Sequence, residues 1–219
     1  MSATYTCEMA RISVDMWLDI GCPWSRISLH ELERAIATVG EPVDVRFHSL
    51  RLDADAPADY GKTTIENLCD HLSISELEAE QMLSVVVEAG ARVGVPFNFR
   101  AARGGNSLNA HRLLRLAADH DRHVTVATAL FVAHFENGEL ISDHDVLQRI
   151  GHNAGLPVAA VKTLLASDDY EAEVVADEES AVRQGIERTP HFRFSGGSEA
   201  SGVHSEAELV TALQMTRNR

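Results

Sequence analysis

Alternating apolar and polar residues predict two short strands near the start of the chain. They are "RISVDMWLDI" (11–20) and "PVDVRFHSL" (42–50). Between them, "RISLHELERAIATV" (26–39) repeats apolar residues at helical spacing. Pro23 stands where a first helical turn tolerates proline, and Gly40 ends the helix. A strand, a helix and a strand within about 40 residues predict a βαβ unit with a parallel sheet.

The middle of the chain changes to a helical period, from about Thr63 to about Ser167. Further helices are expected at Tyr170–Gln184 and in "SEAELVTALQM" (205–215), with a short alternating run after Pro190. The two ends therefore have an α/β pattern and the middle is all helical. One fold interrupted by a helical insertion explains this better than two domains in series, because neither end alone holds enough strands for a sheet.

Composition limits the classes of function. The chain has 219 residues, of which 45% are hydrophobic, and a formal net charge of −14. This charge argues against nucleic acid and anionic membranes as partners, since both would repel the protein. No apolar run approaches the roughly 20 residues of a membrane span, and the N-terminus has no secretory pattern. We therefore expect a soluble cytoplasmic protein.

The cysteines indicate thiol chemistry rather than a disulfide framework. Cys7, Cys22 and Cys69 form an odd, sparse set without the spacing of metal ligands, so no metal site is predicted. A reducing cytosol would keep them as thiols.

Cys22 stands in "DIGCPWSRISL", at the junction of the first strand and helix. Unpaired backbone N–H groups at a helix start favour the thiolate, which is the nucleophilic form of cysteine. Pro23 supports the helix start without needing a hydrogen bond of its own, and Trp24 has an apolar body that can border a substrate groove. The alternative is an inert cysteine packed as a small hydrophobe. The position in "GCPW" favours the functional interpretation.

Four segments, in order, carry a family resemblance. "DIGCPWS" resembles the D-x-x-C-P-W-C segment of DsbA-like, FrnE-type thiol oxidoreductases of the thioredoxin superfamily. These are related to 2-hydroxychromene-2-carboxylate isomerases and kappa-class glutathione transferases. "NSLNAHRLLRLA", "ALFVAHFENGELISDHDVLQRIGHNAGL" and "GIERTPHFRF" are similar to three further family segments. The resemblance spans Ile12 to about Met215.

The resemblance implies a thioredoxin-like α/β fold with a large all-helical insertion. The thioredoxin-like domain would comprise residues 11–60 and 176–217, and the inserted helical domain residues 61–175. The protein would be a monomer or a homodimer.

The resemblance also implies site residues. Cys22 would be the nucleophile, facing a cis-Pro190, and the backbone of Thr189 would bind substrate. Asn106 and Ser107 correspond to positions near the thiol-binding cleft of the isomerases and transferases, although a pair at a helix N-cap is an equally good interpretation. With Pro23 and Trp24, these residues form the predicted substrate-binding set.

Three further residues have open roles. Asp19 is either a proton acceptor or a solvated carboxylate at a strand end. His111 belongs to the family pattern but is better explained as a packing histidine than as a base. His191 replaces an apolar residue that is usual after the cis-proline, and its direction is undetermined.

Ser25 departs from the family, because it replaces the cysteine that resolves a mixed disulfide in a dithiol enzyme. Cys7 or Cys69 could resolve it only after a large movement. We therefore expect a monothiol thiol–disulfide oxidoreductase without a tightly bound cofactor. An external low-molecular-weight thiol, glutathione or mycothiol, would be its co-substrate, and disulfides of proteins or small molecules its targets.

Two alternatives remain open. One is a thiol-dependent transferase or isomerase of the kappa or chromene-carboxylate type, which typically has serine at the position of Cys22. The other is a binding module without redox activity.

Overall fold

The computed structural model describes residues 12–217 and begins with the predicted strand–helix–strand unit. β1 (Ile12–Leu18) and β2 (Val43–Ser49) pair in parallel, and α1 (Pro23–Val39) connects them. Gly40 ends α1 with a φ of 70°, a left-handed conformation that glycine adopts without steric cost. The predicted βαβ unit is therefore confirmed.

The sheet is completed by strands from the other end of the chain. β3 (His191–Phe194) pairs antiparallel with β1, and β4 (Glu199–Ser201) pairs antiparallel with β3, giving the order β2-β1-β3-β4. The alternating run after Pro190 is thus a strand. β4 was not predicted, because three residues are too few to show a period of two. α9 (Glu206–Arg217) closes the fold.

Seven helices form the segment between β2 and β3, in agreement with the helical pattern of the sequence. They are α2 (Thr64–Leu72), α3 (Glu76–Val93), α4 (Leu108–Ala118), α5 (His123–Phe135), α6 (His144–Asn153), α7 (Val158–Leu165) and α8 (Glu171–Arg183). The fold is a thioredoxin-like α/β fold with a helical insertion, as predicted, and the exact domain boundaries stay a prediction. Within residues 12–217, no helix is long and apolar enough to cross a bilayer.

The two faces of β1 pack against different helices. Val14, Met16 and Leu18 join the main core, to which α1 and α9 also contribute. Trp17 points to the opposite face and forms a small second cluster with Leu50 and with residues in and just after α8. Alternation along the strand therefore buries β1 on both sides, which fits its central place in the sheet.

His48 links β2 to α8 through two carboxylates. Its Nε2 lies 3.0 Å from Asp15 and its Nδ1 lies 3.3 Å from Asp177. Asp177 also accepts the backbone N–H of Ser49 at 2.8 Å and pairs with Arg115 of α4. Ionised carboxylates only accept hydrogen bonds, so His48 serves both partners only as an imidazolium. Burial opposes this charge, but the bonds to Asp15 and Asp177 outweigh it and raise the pKa of His48 above 6.5.

We predict that His48→Gln destabilises the protein more at pH 6 than at pH 9. The folded-state pKa is raised, so the contribution of the imidazolium is complete below the unfolded value and is lost as the pH rises through the folded value. We expect the loss in free energy of unfolding to have a pH-dependent part of about 1 kcal/mol. A pH-independent part comes from the lost stacking of His48 on Trp17. Urea unfolding at the two pH values, with the exposed His152→Gln as control, measures it. An equal loss at both pH values would contradict the prediction.

Candidate active site

Cys22 is the N-cap residue of α1, directly after the turn that ends β1. Its backbone is extended (φ −95°, ψ 113°), and its carbonyl oxygen accepts the N–H groups of Ser25 and Arg26 at 3.0 and 3.3 Å. Side-chain oxygens of Thr63 and Ser75 cap α2 and α3, but no side-chain hydrogen bond caps α1. The first N–H groups of α1 therefore have no side-chain acceptor, and the positive end of the helix dipole lies at Cys22.

The loop before β3 faces this cysteine. The Thr189–Pro190 peptide bond is cis, as the resemblance implies. The Cys22 thiol donates to the Thr189 carbonyl oxygen, with Sγ at 3.7 Å, and the residue is 3% exposed. The fold thus joins two segments that are 167 residues apart in sequence.

Asp19 holds the turn in place beneath Cys22. Its Oδ1 accepts the backbone N–H of Gly21 at 3.0 Å and the hydroxyl of Ser107 at 2.9 Å, and lies 3.3 Å from Nε2 of His111. Its Oδ2 accepts the backbone N–H of Leu52 at 2.8 Å. One carboxylate therefore connects the end of β1, the loop after β2 and helix α4.

The same contacts fix the charge of Asp19. Burial alone would raise the pKa of this carboxyl, but the hydrogen bond and charge of His111, together with the N–H groups of Leu52 and Gly21, hold it below 3.8. The side chain is only 6% exposed, so it is not a solvated carboxylate. It is an ionised group whose oxygens already accept hydrogen bonds, and these bonds disfavour a role as proton acceptor.

Ser25 lies on the first turn of α1 and is fully buried. Its hydroxyl oxygen accepts the backbone N–H of Asp19 at 3.5 Å, a weak bond at that distance. Trp24, next to it, is partly buried against the main core. Ser25 therefore takes part in the same local framework as Asp19.

A cleft of about 750 Å³ opens beside the nucleophile. Gly21 and Pro23, the two neighbours of Cys22, line it together with Asp19 and Ser107. Its walls are mainly apolar and also carry several polar side chains. The apolar lining residues include Leu52, Ala56, Leu68, Leu83, Phe99 and Phe135, and the polar ones Tyr60, Lys62, Asn67, Asp70 and His71. An apolar pocket with a few polar groups is typical of small-molecule sites.

Asn106 and Ser107 lie at the start of α4 but have different environments. The Asn106 amide donates to the carbonyl oxygens of Ala54 and Ala56, and its oxygen accepts the N–H of Leu108. It therefore fastens the loop after β2 and does not line the cleft. Ser107 occupies the N-cap position, yet its hydroxyl binds Asp19 instead of capping the helix.

His191 is directed away from the cleft. Its ring packs edge-on against Trp17 at 5.5 Å, and its Nδ1 lies 2.6 Å from the Ser201 hydroxyl oxygen. Burial lowers the pKa of His191 below 6.5. Its surroundings are those of a packing residue.

Cys69 is the other cysteine among the described residues. Cys69 is half-buried on α2, where burial is the main cause that raises its thiol pKa, and it does not line the cleft. Cys7 lies outside the described residues. Within residues 12–217, no group of three or more His, Cys, Asp or Glu side chains is placed to hold a metal ion.

His134 is a cleft residue that the sequence did not indicate. It is 5% exposed, and burial lowers its pKa to about 4 although the charge of Asp19 acts in the opposite direction. The ring is therefore neutral near pH 7. It lies on α5 among apolar residues, at the helical spacing of an ordinary core residue. The sequence pattern therefore does not distinguish it.

The match to a family model decides the family. The model of the DSBA-like thioredoxin domain covers residues 13–214. The chain belongs to this family. No curated protein matches it.

Solved structures extend the comparison. A probable DsbA oxidoreductase from Streptomyces coelicolor is 26% identical, with a TM-score of 0.86 over 95% of this chain and 91% of that one. A 2-hydroxychromene-2-carboxylate isomerase is 14% identical, with a TM-score of 0.66 over 94% and 95%. The cytosolic disulfide reductase DsbM from Pseudomonas aeruginosa, solved with GSH, is 16% identical, with a TM-score of 0.59 over 94% and 96%. The last two likenesses concern the fold alone.

We predict that Asp19→Asn lowers the free energy of unfolding by about 3 kcal/mol at pH 7, because a buried network loses its charge and gains a misplaced donor. The folded-state pKa of Asp19 is lowered, so its contribution is present above 3.8 and is lost as the pH falls through the folded value. The variant and the wild type should therefore converge in acid, as measured by urea unfolding across pH.

Asp53→Asn is the matched control, because Asp53 lines the same cleft but is exposed and accepts a side-chain bond from Tyr60. We expect it to cost less than about 1 kcal/mol. Equal losses for the two variants would refute the special role of Asp19.

Proposed function

We propose that this protein is a monothiol thiol–disulfide oxidoreductase in which Cys22 is the nucleophile. The observation that carries the proposal is the position of Cys22, at the start of α1 and 3.7 Å from the carbonyl oxygen of Thr189 beside cis-Pro190. Membership of the DSBA-like family supports the reaction class.

The proposed reaction has two exchanges. The Cys22 thiolate attacks one sulfur of a disulfide, forms a mixed disulfide and releases the other sulfur as a thiolate, which takes up a proton. A second thiolate, from an external low-molecular-weight thiol, attacks the mixed disulfide and releases Cys22. The substrate disulfide is thereby reduced, the external thiol is oxidised and becomes part of a new disulfide, and Cys22 returns unchanged.

Ser25 is the reason for the external thiol, because a hydroxyl cannot resolve a mixed disulfide. Cys69 does not line the cleft, in support of the same conclusion. The cytosolic disulfide reductase solved with GSH has a related fold. We propose glutathione as the thiol, or mycothiol in an actinobacterial cell, and a reducing cytoplasm as its source.

The alternative is a thiol-dependent transferase or isomerase, and the cleft of about 750 Å³ favours it. A cleft of this size beside Cys22 suits a small organic substrate, and the isomerase fold is related. In that case a bound thiol, rather than Cys22, would be the reactive group.

We predict that wild-type protein forms one adduct, on Cys22, after exposure to oxidised glutathione or oxidised mycothiol. Peptide mass spectrometry locates the adduct and identifies the thiol that reacts faster. Cys22→Ser should form none, and Cys69→Ser should behave as wild type. An adduct confined to Cys69, or activity that persists after alkylation of Cys22, would overturn the proposal, and the second result would favour the transferase alternative.

We also predict that Ser25→Cys converts the protein to a dithiol enzyme. Residues 22 and 25 are three positions apart and on the same side of the helix start, so a small change in the first turn brings their Cβ atoms within the roughly 3.5–4.5 Å that a disulfide needs. The reduced variant should reduce one equivalent of a disulfide without external thiol, whereas the wild type should stop at the mixed disulfide. Ser28→Cys, also fully buried on α1, is the control and should behave as wild type. A mixed disulfide that persists in Ser25→Cys would count against the mechanism.

A further inference from the structure

The cleft beside Cys22 is lined by more negative than positive side chains. Within residues 12–217, Lys62 is the only lysine or arginine that lines it. Burial lowers the pKa of His134 to about 4, so this ring carries no charge near pH 7. The charged and titratable lining residues are Asp19, Asp53, Asp70, Lys62, His71 and His134. Even with His71 protonated, the lining residues therefore carry a net negative charge.

The arginines that adjoin the cleft in sequence do not supply a free positive charge. Each of them, like Lys62, forms an ion pair with a carboxylate. The pairs are Lys62–Asp70, Arg51–Glu178, Arg100–Glu80 and Arg103–Asp59. The charges within each pair cancel, so they leave the negative sign of the cleft unchanged.

Asp53 is the exposed lining carboxylate without such a partner. Its Oδ2 accepts the Tyr60 hydroxyl at 2.5 Å. This bond raises the pKa of Tyr60, so the phenol stays a neutral donor. Among residues 12–217, no lysine, arginine or histidine forms an ion pair with Asp53. The charge of Asp53 is therefore uncompensated.

A short series of contacts joins Asp53 to the nucleophile. The preceding residue, Leu52, donates its backbone N–H to Oδ2 of Asp19 at 2.8 Å. Asp19 in turn accepts the N–H of Gly21, directly before Cys22, at 3.0 Å. Charged groups in a cleft with apolar walls focus the electric field. An anion that approaches Cys22 through the cleft therefore meets the like charge of Asp53.

We infer that Asp53 is a specificity-determining residue, which makes the cleft select thiols without net negative charge. Glutathione, whose carboxylates outnumber its ammonium group, belongs to the disfavoured class. Mycothiol, which has no ionised group at neutral pH, belongs to the favoured class. The inference rests on the proposed function for the role of the second thiol, and it assigns that role to a thiol of the favoured class.

The test compares two alkylating reagents of similar size on Cys22, uncharged iodoacetamide and anionic iodoacetate. Both react with the same thiolate, so the ratio of their rates cancels any change in the thiolate fraction. Peptide mass spectrometry measures the rates at pH 8, where imidazoles are mostly neutral. Relative to mercaptoethanol in solution, wild-type Cys22 should favour iodoacetamide by a further factor of about three to ten, because like charges repel.

Asp53→Asn keeps an acceptor for the Tyr60 hydroxyl and removes the charge, so it should lower this factor about twofold to threefold. Asp168→Asn is the matched control, because it changes the net charge equally at an exposed residue that does not line the cleft. It should keep the wild-type factor. Equal factors in Asp53→Asn and wild type would overturn the inference, as would a wild-type factor of one.

Salt provides a second measurement that needs no variant, should Asp53→Asn not fold. In about 1 M salt the Debye length is about 3 Å, so the repulsion is screened. The wild-type factor should then fall towards one. A factor that does not change with salt would refute the role of Asp53.

Release of a Cys22 mixed disulfide by mercaptoethanol and by mercaptoacetate connects the selection to the reaction. Mercaptoethanol should be the faster of the two, after each rate is divided by the rate of the same thiol with a small disulfide in solution. If Cys22 forms no mixed disulfide, the proposed function fails, and the alkylation ratio still decides the role of Asp53. If the mixed disulfide forms and the ratios of wild type and Asp53→Asn coincide, only the role of Asp53 fails.

Discussion

The Asp19 carboxylate is the contact on which the geometry of the site depends. It accepts hydrogen bonds from the turn before Cys22, from the loop after β2 and from α4 of the helical insertion. The insertion is therefore attached to the thioredoxin-like sheet directly beneath the nucleophile. Because the carboxylate is buried, loss of the Leu52 N–H would leave Oδ2 without a donor, and loss of any donor to Oδ1 would weaken the compensation of its charge. This penalty keeps the three segments in register.

This arrangement creates a conflict between structure and reactivity. The Asp19 charge that organises the turn is negative. A thiolate, the reactive form of cysteine, is negative too, so the two charges would repel each other. The start of α1 acts in the other direction, since its N–H groups and dipole favour an anion. The surroundings of Cys22 thus combine a helix terminus that favours an anion with a buried carboxylate that opposes one.

The sequence predicted the elements and the nucleophile, because these depend on local patterns. Strand alternation, helical spacing and a cysteine at a helix start are visible within about ten residues, and the resemblance supplied the cis-proline. The network of Asp19 was beyond such reasoning, since Ser107 and His111 lie 88 and 92 residues away. Asn106 illustrates the same limit, because its partners Ala54 and Ala56 belong to a loop without a period. His134 has the spacing of a core residue, and only the fold places it in the wall of the cleft.

The consequence of Ser25 for the mechanism depends on the space around Cys22. An enzyme without a resolving cysteine must admit a second molecule to its mixed disulfide, and that molecule needs room next to the nucleophile. The carbonyl group of Thr189 lies on one side of Cys22. The cleft, lined by Gly21 and Pro23, opens next to the same residue. Thr189 does not line the cleft, so in the proposed reaction a disulfide aligned along its backbone and a thiol entering from the cleft would contact different residues.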